Sequence, residues 1–410
     1  MHRSLPRLTP LTWVFALALT AIACAADPVP VPRTFTADGK QLADVKRRVL
    51  AGDKQFDGPL KALLKDADAS LEAKNYSVLD KPVAPASGDM HDYMTLAPYW
   101  WPDPTKPDGL PYIRKDGEVN PEREKFNLAP FENATKNVNA LALAYYFTGE
   151  EKYAEKAAAQ IRVWFFDDAT RMNPNLRYAQ IVRGREAQLK SSGVLESDRL
   201  RRVLDADGLL AGSKHWSDQD HQKLSAWMKQ YIDWIQTSEM GQEEARQPNN
   251  HGSWYCAQTA TFALYLDDEA TAKKWVEQGK AKIASQIEPD GSQPHELART
   301  KAWDYSRYNI LAHVQTANIG ERVGIDVWNY KTDDGRSLRG AIDWLIPYST
   351  GKKEWTYQQI EKPKLADMFM ILRRAAIVYN VPAYEAEAAN VPGADPENNR
   401  FNLLFPKPKF

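Results

Sequence analysis

Two stretches of helical period are joined by only four residues, and the same arrangement returns 119 residues later. Over 134–147 apolar side chains fall at Ala134, Val138, Leu141, Ala142 and Tyr145. Over 153–165 they fall at Tyr153, Ala157, Ile161, Trp164 and Phe165. Each set lines one face of an α-helix, and Thr148-Gly149-Glu150-Glu151 turns one helix into the next. The segments 254–266 and 272–287, joined by Asp267-Asp268-Glu269, repeat the plan. An offset of 119 residues accommodates two helix pairs of roughly 60 residues each, the signature of a repeat architecture. The intervening pair is expected at 178–204 and 218–238. Further helices are expected at 42–50, 60–71, 300–319, 336–345 and 365–379. Alternating strand patterns are few. The expected fold is all-α: an α/α toroid, incomplete or complete, with no separate β domain.

Connectors inside a pair are short, whereas those between pairs, at 88–132, 167–177, 239–250 and 288–296, are long and polar. In an up-down helical ring all of the latter emerge at one end, so their unusual residues converge on one rim, where loops on a rigid scaffold carry function.

The composition agrees with a large packed core: 43% of the 410 residues are hydrophobic, and 13 Trp, 18 Tyr and 13 Phe would stay wet in a disordered chain. A mean hydropathy of −0.56 excludes a polytopic membrane protein. With 53 basic and 54 acidic residues the chain has no overall field for nucleic acid or an anionic membrane. Arg3 and Arg7, an uncharged stretch over 8–26 and the small residues Ala23-Cys24-Ala25 read as a secretory signal peptide over 1–25. That predicts export to the periplasm or beyond, with no membrane contact after cleavage. The folded part is then expected at 26–389, followed by a Pro-, Asn- and Lys-rich tail over 390–410 that wraps the surface. Cys256 alone would remain, which excludes an intramolecular disulfide and thiolate zinc sites.

Three segments carry candidate chemistry. Gly88-Asp89-Met90-His91-Asp92-Tyr93 leads into Pro98-Tyr99-Trp100-Trp101-Pro102-Asp103. Aromatic faces in a polar loop either stack on sugar rings or pin the loop to the body. Gln247-Pro248-Asn249-Asn250-His251-Gly252-Ser253-Trp254-Tyr255 puts two carboxamides and an imidazole at a helix start, where N–H groups favour anions; the alternative is a simple cap with a structural histidine. The third segment is His295-Glu296-Leu297-Ala298-Arg299-Thr300 followed by Trp303-Asp304-Tyr305-Ser306-Arg307-Tyr308. Arg299 can clamp a carboxylate in bidentate fashion, and Tyr305 can move a proton if a nearby cation lowers its pKa. Six residues apart, the two meet only if Arg299 lies at the frayed helix start or reaches around. Otherwise they are a surface Arg–Glu pair and a core tyrosine. Phosphate-binding glycine loops, His-Glu-x-x-His runs and Gly-x-Ser-x-Gly elbows are all missing from the sequence.

In their order and residues these three segments resemble the alginate-lyase superfamily, polysaccharide lyase families 5 and 38. The resemblance spans about 88–319. It implies an α/α toroid that cleaves polyuronates such as alginate by β-elimination, with Asn250, His251, Arg299 and Tyr305 on the catalytic positions. His91, Tyr93, Tyr99, Trp100, Trp101, Asn249, Trp254, Glu296 and Tyr308 are then candidates for substrate binding. Gly252-Ser253 follows the histidine where family 5 has Ser-Tyr, and Asp304 stands where family 5 carries a histidine. The Arg299-to-Tyr305 spacing is one residue shorter than in family 5 and is similar to family 38, so glucuronan joins polymannuronate as an expected substrate.

The residue types fit elimination on their own terms. Removing the C5 proton sends charge onto the neighbouring carboxylate, which Asn250, His251 and Arg299 would neutralise. An acid must protonate the leaving O4, and a base must take the C5 proton. Tyr305 is the expected acid, with Tyr305 itself or His251 as base; the scheme needs no metal or cofactor. Two other classes stay open: a glycoside hydrolase acting through Asp89 or Asp92 with Glu296, and a non-catalytic polysaccharide-binding protein using Trp100 and Trp101.

Overall fold

The computed structural model describes residues 29–410; the expected leader lies outside the described residues. Fourteen α-helices are found there: α1 (Gly39–Leu50), α2 (Asp57–Glu72), α3 (Leu128–Thr148), α4 (Glu151–Phe165), α5 (Leu200–Leu209), α6 (Asp218–Thr237), α7 (Glu239–Arg246), α8 (Asn250–Tyr265), α9 (Glu269–Gln286), α10 (Pro294–Leu297), α11 (Ala302–Val323), α12 (Leu338–Ser349), α13 (Met368–Tyr379) and α14 (Pro382–Ala389). Their ends follow from local chemistry. The Asp38, Asp268 and Ser337 side chains cap α1, α9 and α12, and Ser217 with Asp220 forms a capping box on α6. Gly149, at φ 74°, stops α3 in a left-handed conformation that lets α4 fold straight back.

The helix pairs close into an α/α toroid around one continuous apolar core. Helix α8 is buried on nearly every side and packs chiefly on α9 and α11, so its N-terminus is a fixed point of the structure.

One expected helix is absent. Residues 178–204 form a strand, β4 (Tyr178–Ile181), a 3₁₀ stretch (Ser191–Arg199) and the start of α5. Here Gly193 packs against the Ala179 backbone, leaving no room for a Cβ, and tertiary pairing overrides the helical pattern. Strand β4 pairs in parallel with β1 (Met94–Leu96), while β2 (Trp100–Trp101) pairs with β3 (Ile113–Arg114) in an antiparallel hairpin. These two-stranded ribbons are rim decoration, not a separate β domain. The tail does more than wrap the surface: Leu403 and Phe405 enter the main core, and the buried Arg373 binds Glu385, Asn402 Oδ1 and the Phe405 carbonyl.

Candidate active site

Two of the four long connectors, 88–132 and 239–250, meet at a cavity of about 590 Å³, lined by Tyr99, Trp100, Arg114, Lys190, Asn249, Asn250, His251, Arg299, Tyr305 and Tyr308 among others; 167–177 and 288–296 contribute no residue to its lining.

The helix-borne side is built on α8. Asn249 is the N-cap, its side chain accepting from the His251 N–H at 3.2 Å. Asn250 is buried against Glu296, its backbone N–H donating to Oε1 at 2.6 Å and its Nδ2 to Oε2 at 2.7 Å. The role of Glu296 is therefore to hold Asn250 from behind, since it is itself 1% exposed and does not line the cavity. Burial raises its pKa, opposed by the two Asn250 bonds and by the His251 and Arg299 charges. His251 Nδ1 donates to Glu244 Oε1 at 2.5 Å. Burial lowers the imidazole pKa, but the Glu244 carboxylate outweighs it, and the net direction is upward. Nothing in the sequence pattern singles out Glu244; its only trace is a carboxylate two turns upstream, in a segment expected to be loop.

The loop-borne side meets it from across the cavity. Arg299 precedes α11 and so is not bound by helical spacing: its Nη2 donates to the Tyr305 hydroxyl at 3.0 Å, with the guanidinium 4.1 Å from that ring. The expected fork on Arg299 is already filled by Asp116, with Oδ1 3.0 Å from Nη2 and Oδ2 3.3 Å from Nε. Among the described residues Nη1 alone has no partner, and it is left for another anion. Asp116 follows β3 and also accepts from Arg114 and Thr300; sequence reasoning missed it because it lies 183 residues from Arg299. The Tyr99 hydroxyl sits 2.5 Å from that of Tyr305. Tyr305 was expected to titrate more easily beside a cation. Instead burial and Tyr99 push its pKa well above 10 and outweigh Arg299, so the resting hydroxyl keeps its proton.

Trp100 lines the cavity, with Lys190 Nζ 4.7 Å and Arg185 5.4 Å from its ring. Four other candidates do not line it. His91 bonds the Arg171 carbonyl through Nδ1, and Tyr93 is buried with its hydroxyl on Glu196. Trp101 donates to the Glu118 carbonyl, and Trp254 packs behind Tyr308 at 4.9 Å. Asp89 and Asp92 bind Asn173, away from the cavity, so the hydrolase pair expected from Asp89 or Asp92 with Glu296 is not assembled there.

Fold and comparisons together define a polysaccharide lyase. The chain matches the alginate lyase family model over residues 77–355 and belongs to that family. It is similar to the crystal structure of an alginate lyase from Bacteroides ovatus, at 40% identity over 92% of this chain and 99% of that one, with a TM-score of 0.87. Alginate lyase A1-III from a Sphingomonas species shares the fold at 21% identity (89% and 95% covered, TM-score 0.58). So does a histidine-to-alanine variant of alginate lyase A1-III complexed with tetrasaccharide, at 18% identity (94% and 98% covered, TM-score 0.60). No curated protein matches the chain.

Proposed function

We propose that this protein is an exported lyase that cleaves an acidic polysaccharide, alginate (polymannuronate) or glucuronan, by β-elimination. The observation that carries the reading is the convergence of Asn250, His251, Arg299 and Tyr305 on one cavity whose rim also bears Arg114 and Lys190. An anionic sugar is drawn in by these cations, and its ring has the Trp100 face to pack on. The tetrasaccharide held by a relative of the same fold, together with the family itself, supports a polyuronate. The signal-like residues 1–25 support export to the periplasm.

In this reading the substrate carboxylate accepts hydrogen bonds from Asn250 and from the free Nη1 of Arg299, which stabilise the charge that develops as C5 loses its proton. His251 takes that proton: Glu244 on Nδ1 makes it a stronger base and fixes its tautomer, leaving Nε2 to act. Tyr305, protonated at rest, gives its proton to O4 as the C4–O4 bond breaks. A second route, for the other C5 epimer, uses Tyr305 as base and then as acid; it requires the hydroxyl first to lose its proton to solvent, with Arg299 Nη2 donating to the phenolate.

Ultraviolet absorbance during incubation with polymannuronate, polyguluronate and glucuronan tests the reading. A rising signal from the C4–C5 alkene, abolished in Tyr305→Phe, is expected. New reducing ends without that signal would instead establish a hydrolase. Silence in both assays with polymer still bound would leave a binding protein.

A further inference from the structure

Besides His251, the lining of the central cavity carries Arg114, Lys190 and Arg299 as cations. The two arginines are engaged. Asp116 accepts from Arg299 at both carboxylate oxygens and from Arg114 at 2.7 Å. Among the described residues the Lys190 ammonium has neither a hydrogen-bond nor a salt-bridge partner. Its surroundings disfavour it: partial burial, then the Arg114 and Arg185 charges, push its pKa down, and the Glu243 charge opposes them without forming a salt bridge.

The chain holds this lysine in place. Its Nζ stands 4.7 Å from the centre of the Trp100 ring, a cation–π distance. Two residues further on, Ser192 Oγ donates to Gln180 Oε1 at 2.9 Å. Gln180 also lines the cavity and is itself braced, its Nε2 donating to the buried Glu196 at 3.2 Å and its backbone N–H to Thr95 Oγ1 at 2.8 Å. Its φ of 54° lies in the left-handed region, which residues other than glycine seldom occupy, so these contacts hold the wall against local strain. The wall stands beside the reaction centre: the Tyr99 hydroxyl touches that of Tyr305, and the next residue, Trp100, carries Lys190.

We propose that Lys190 is a specificity residue: its ammonium takes the carboxylate of the ring next to the one that loses its C5 proton, so the protein cuts between two uronates in preference to a uronate and a neutral sugar. This deepens the lyase reading above and rests on it. A uronate homopolymer presents a carboxylate on every ring. With one carboxylate on Asn250 and Arg299, the neighbouring one supplies the partner that Lys190 lacks. A neutral ring in that place leaves the ammonium facing Arg114 and Arg185 uncompensated, and that difference discriminates between substrates. An ammonium is a point charge on a flexible stem, not a planar fork. It therefore selects charge at the neighbouring ring and not the C5 epimer.

The test uses polymannuronate and glucuronan in which part of the carboxyl groups has been reduced, leaving neutral rings among the uronates. Absorbance reports alkene formation, and mass spectrometry of the products identifies the ring on either side of each cut. On one side of the cut the wild type is expected to select a uronate over a neutral ring roughly tenfold, the worth of one charge-assisted hydrogen bond. In Lys190→Met that selection should fall to near unity, and kcat/KM on the unreduced polymer about tenfold, chiefly through KM. Lys190→Arg should keep the selection. Arg185→Met removes the same charge beside the same Trp100 ring but outside the cavity lining, and should keep it too. Each ratio is internal to one protein, so it does not depend on how much of a variant is folded. A wild type without selection, a Lys190→Met protein that retains it, or an equal loss in Arg185→Met, which would mean a general field, each overturns the proposal. Alkene formation with selection indifferent to Lys190 removes this assignment alone; a wild type that forms no alkene from any polyuronate overturns the lyase reading and this assignment with it.

Discussion

The two sides of the central cavity are built in opposite ways. Asn250 and His251 begin a helix that is buried on nearly every side, and each is gripped from behind by a carboxylate that is 1% exposed, Glu296 or Glu244. The whole arrangement uses 53 consecutive residues. Arg299 and Tyr305 are instead completed from the other end of the chain, by Asp116 and Tyr99 on the rim ribbon, 183 and 206 residues away. The first side has its geometry fixed by the core, and losing a support there damages the fold as well as the site. The second is held by hydrogen bonds between rim segments, and losing a support there loosens positions while the toroid stands.

Variants can break that contrast. Tyr305→Phe removes the proton donor and no packing; a fall of roughly 10³-fold in kcat is expected, with KM and thermal midpoint nearly unchanged, and a small effect on kcat would remove Tyr305 from the chemistry. Glu296→Ala strands two buried donors of Asn250, each costing about 1–3 kcal/mol. The expected result is a lowered thermal midpoint together with lost activity; activity lost at native stability would show that the helix side is not core-fixed. Asp116→Asn keeps the shape but weakens the hold on Arg299. A drop of about tenfold to a hundredfold in kcat/KM at an unchanged melting temperature is expected.

Glu244→Gln separates the two roles open to His251. With Glu244 charged, the folded imidazole has its pKa raised. A base works above its pKa, so kcat/KM should rise with pH through that value. The glutamine variant loses the Glu244 charge, which raises the pKa more than Glu296 does, and keeps the burial that lowers it. Its acid limb should move to lower pH while the plateau falls about three- to tenfold, as a weaker base transfers the proton less readily. Were His251 needed as a cation, activity would fall with rising pH, and the variant would lose its alkaline side first.

The same contrast decides what could be read from sequence. Helix period and short turns located ten of the fourteen helices, because α3, α4, α8 and α9 bury one continuous core whose stripes are local in sequence; the short α7, α10 and α14 carry too few turns for a stripe and were not expected. The Asn249-Asn250-His251 start was legible because capping is local too. Residues 178–204 were not, since β4 exists only by pairing with β1, and its pattern is also compatible with a helix. Asp116, Glu244 and the filled fork on Arg299 depend on contacts with no spacing signature. His91, Tyr93, Trp101 and Trp254 share segments with site residues, but their side chains turn to the body or to the neighbouring backbone.

The adjacent tryptophans give the smallest and most local test. Trp100 and Trp101 occupy successive positions of β2, so their side chains point to opposite faces of the ribbon. Trp100 borders the cavity beside Lys190 and Arg185. Trp101 donates to the Glu118 carbonyl at 2.9 Å, with Lys115 5.3 Å from its ring. A stacking face for one sugar ring is worth about 1 kcal/mol or somewhat more, so Trp100→Ala should raise KM several-fold. Trp101→Ala should change KM less than about twofold and lower stability slightly, through lost packing on the hairpin. Equal effects on KM would mean that the polymer contacts both faces of the ribbon, and the rim side would then be the more extensive binding surface of the two.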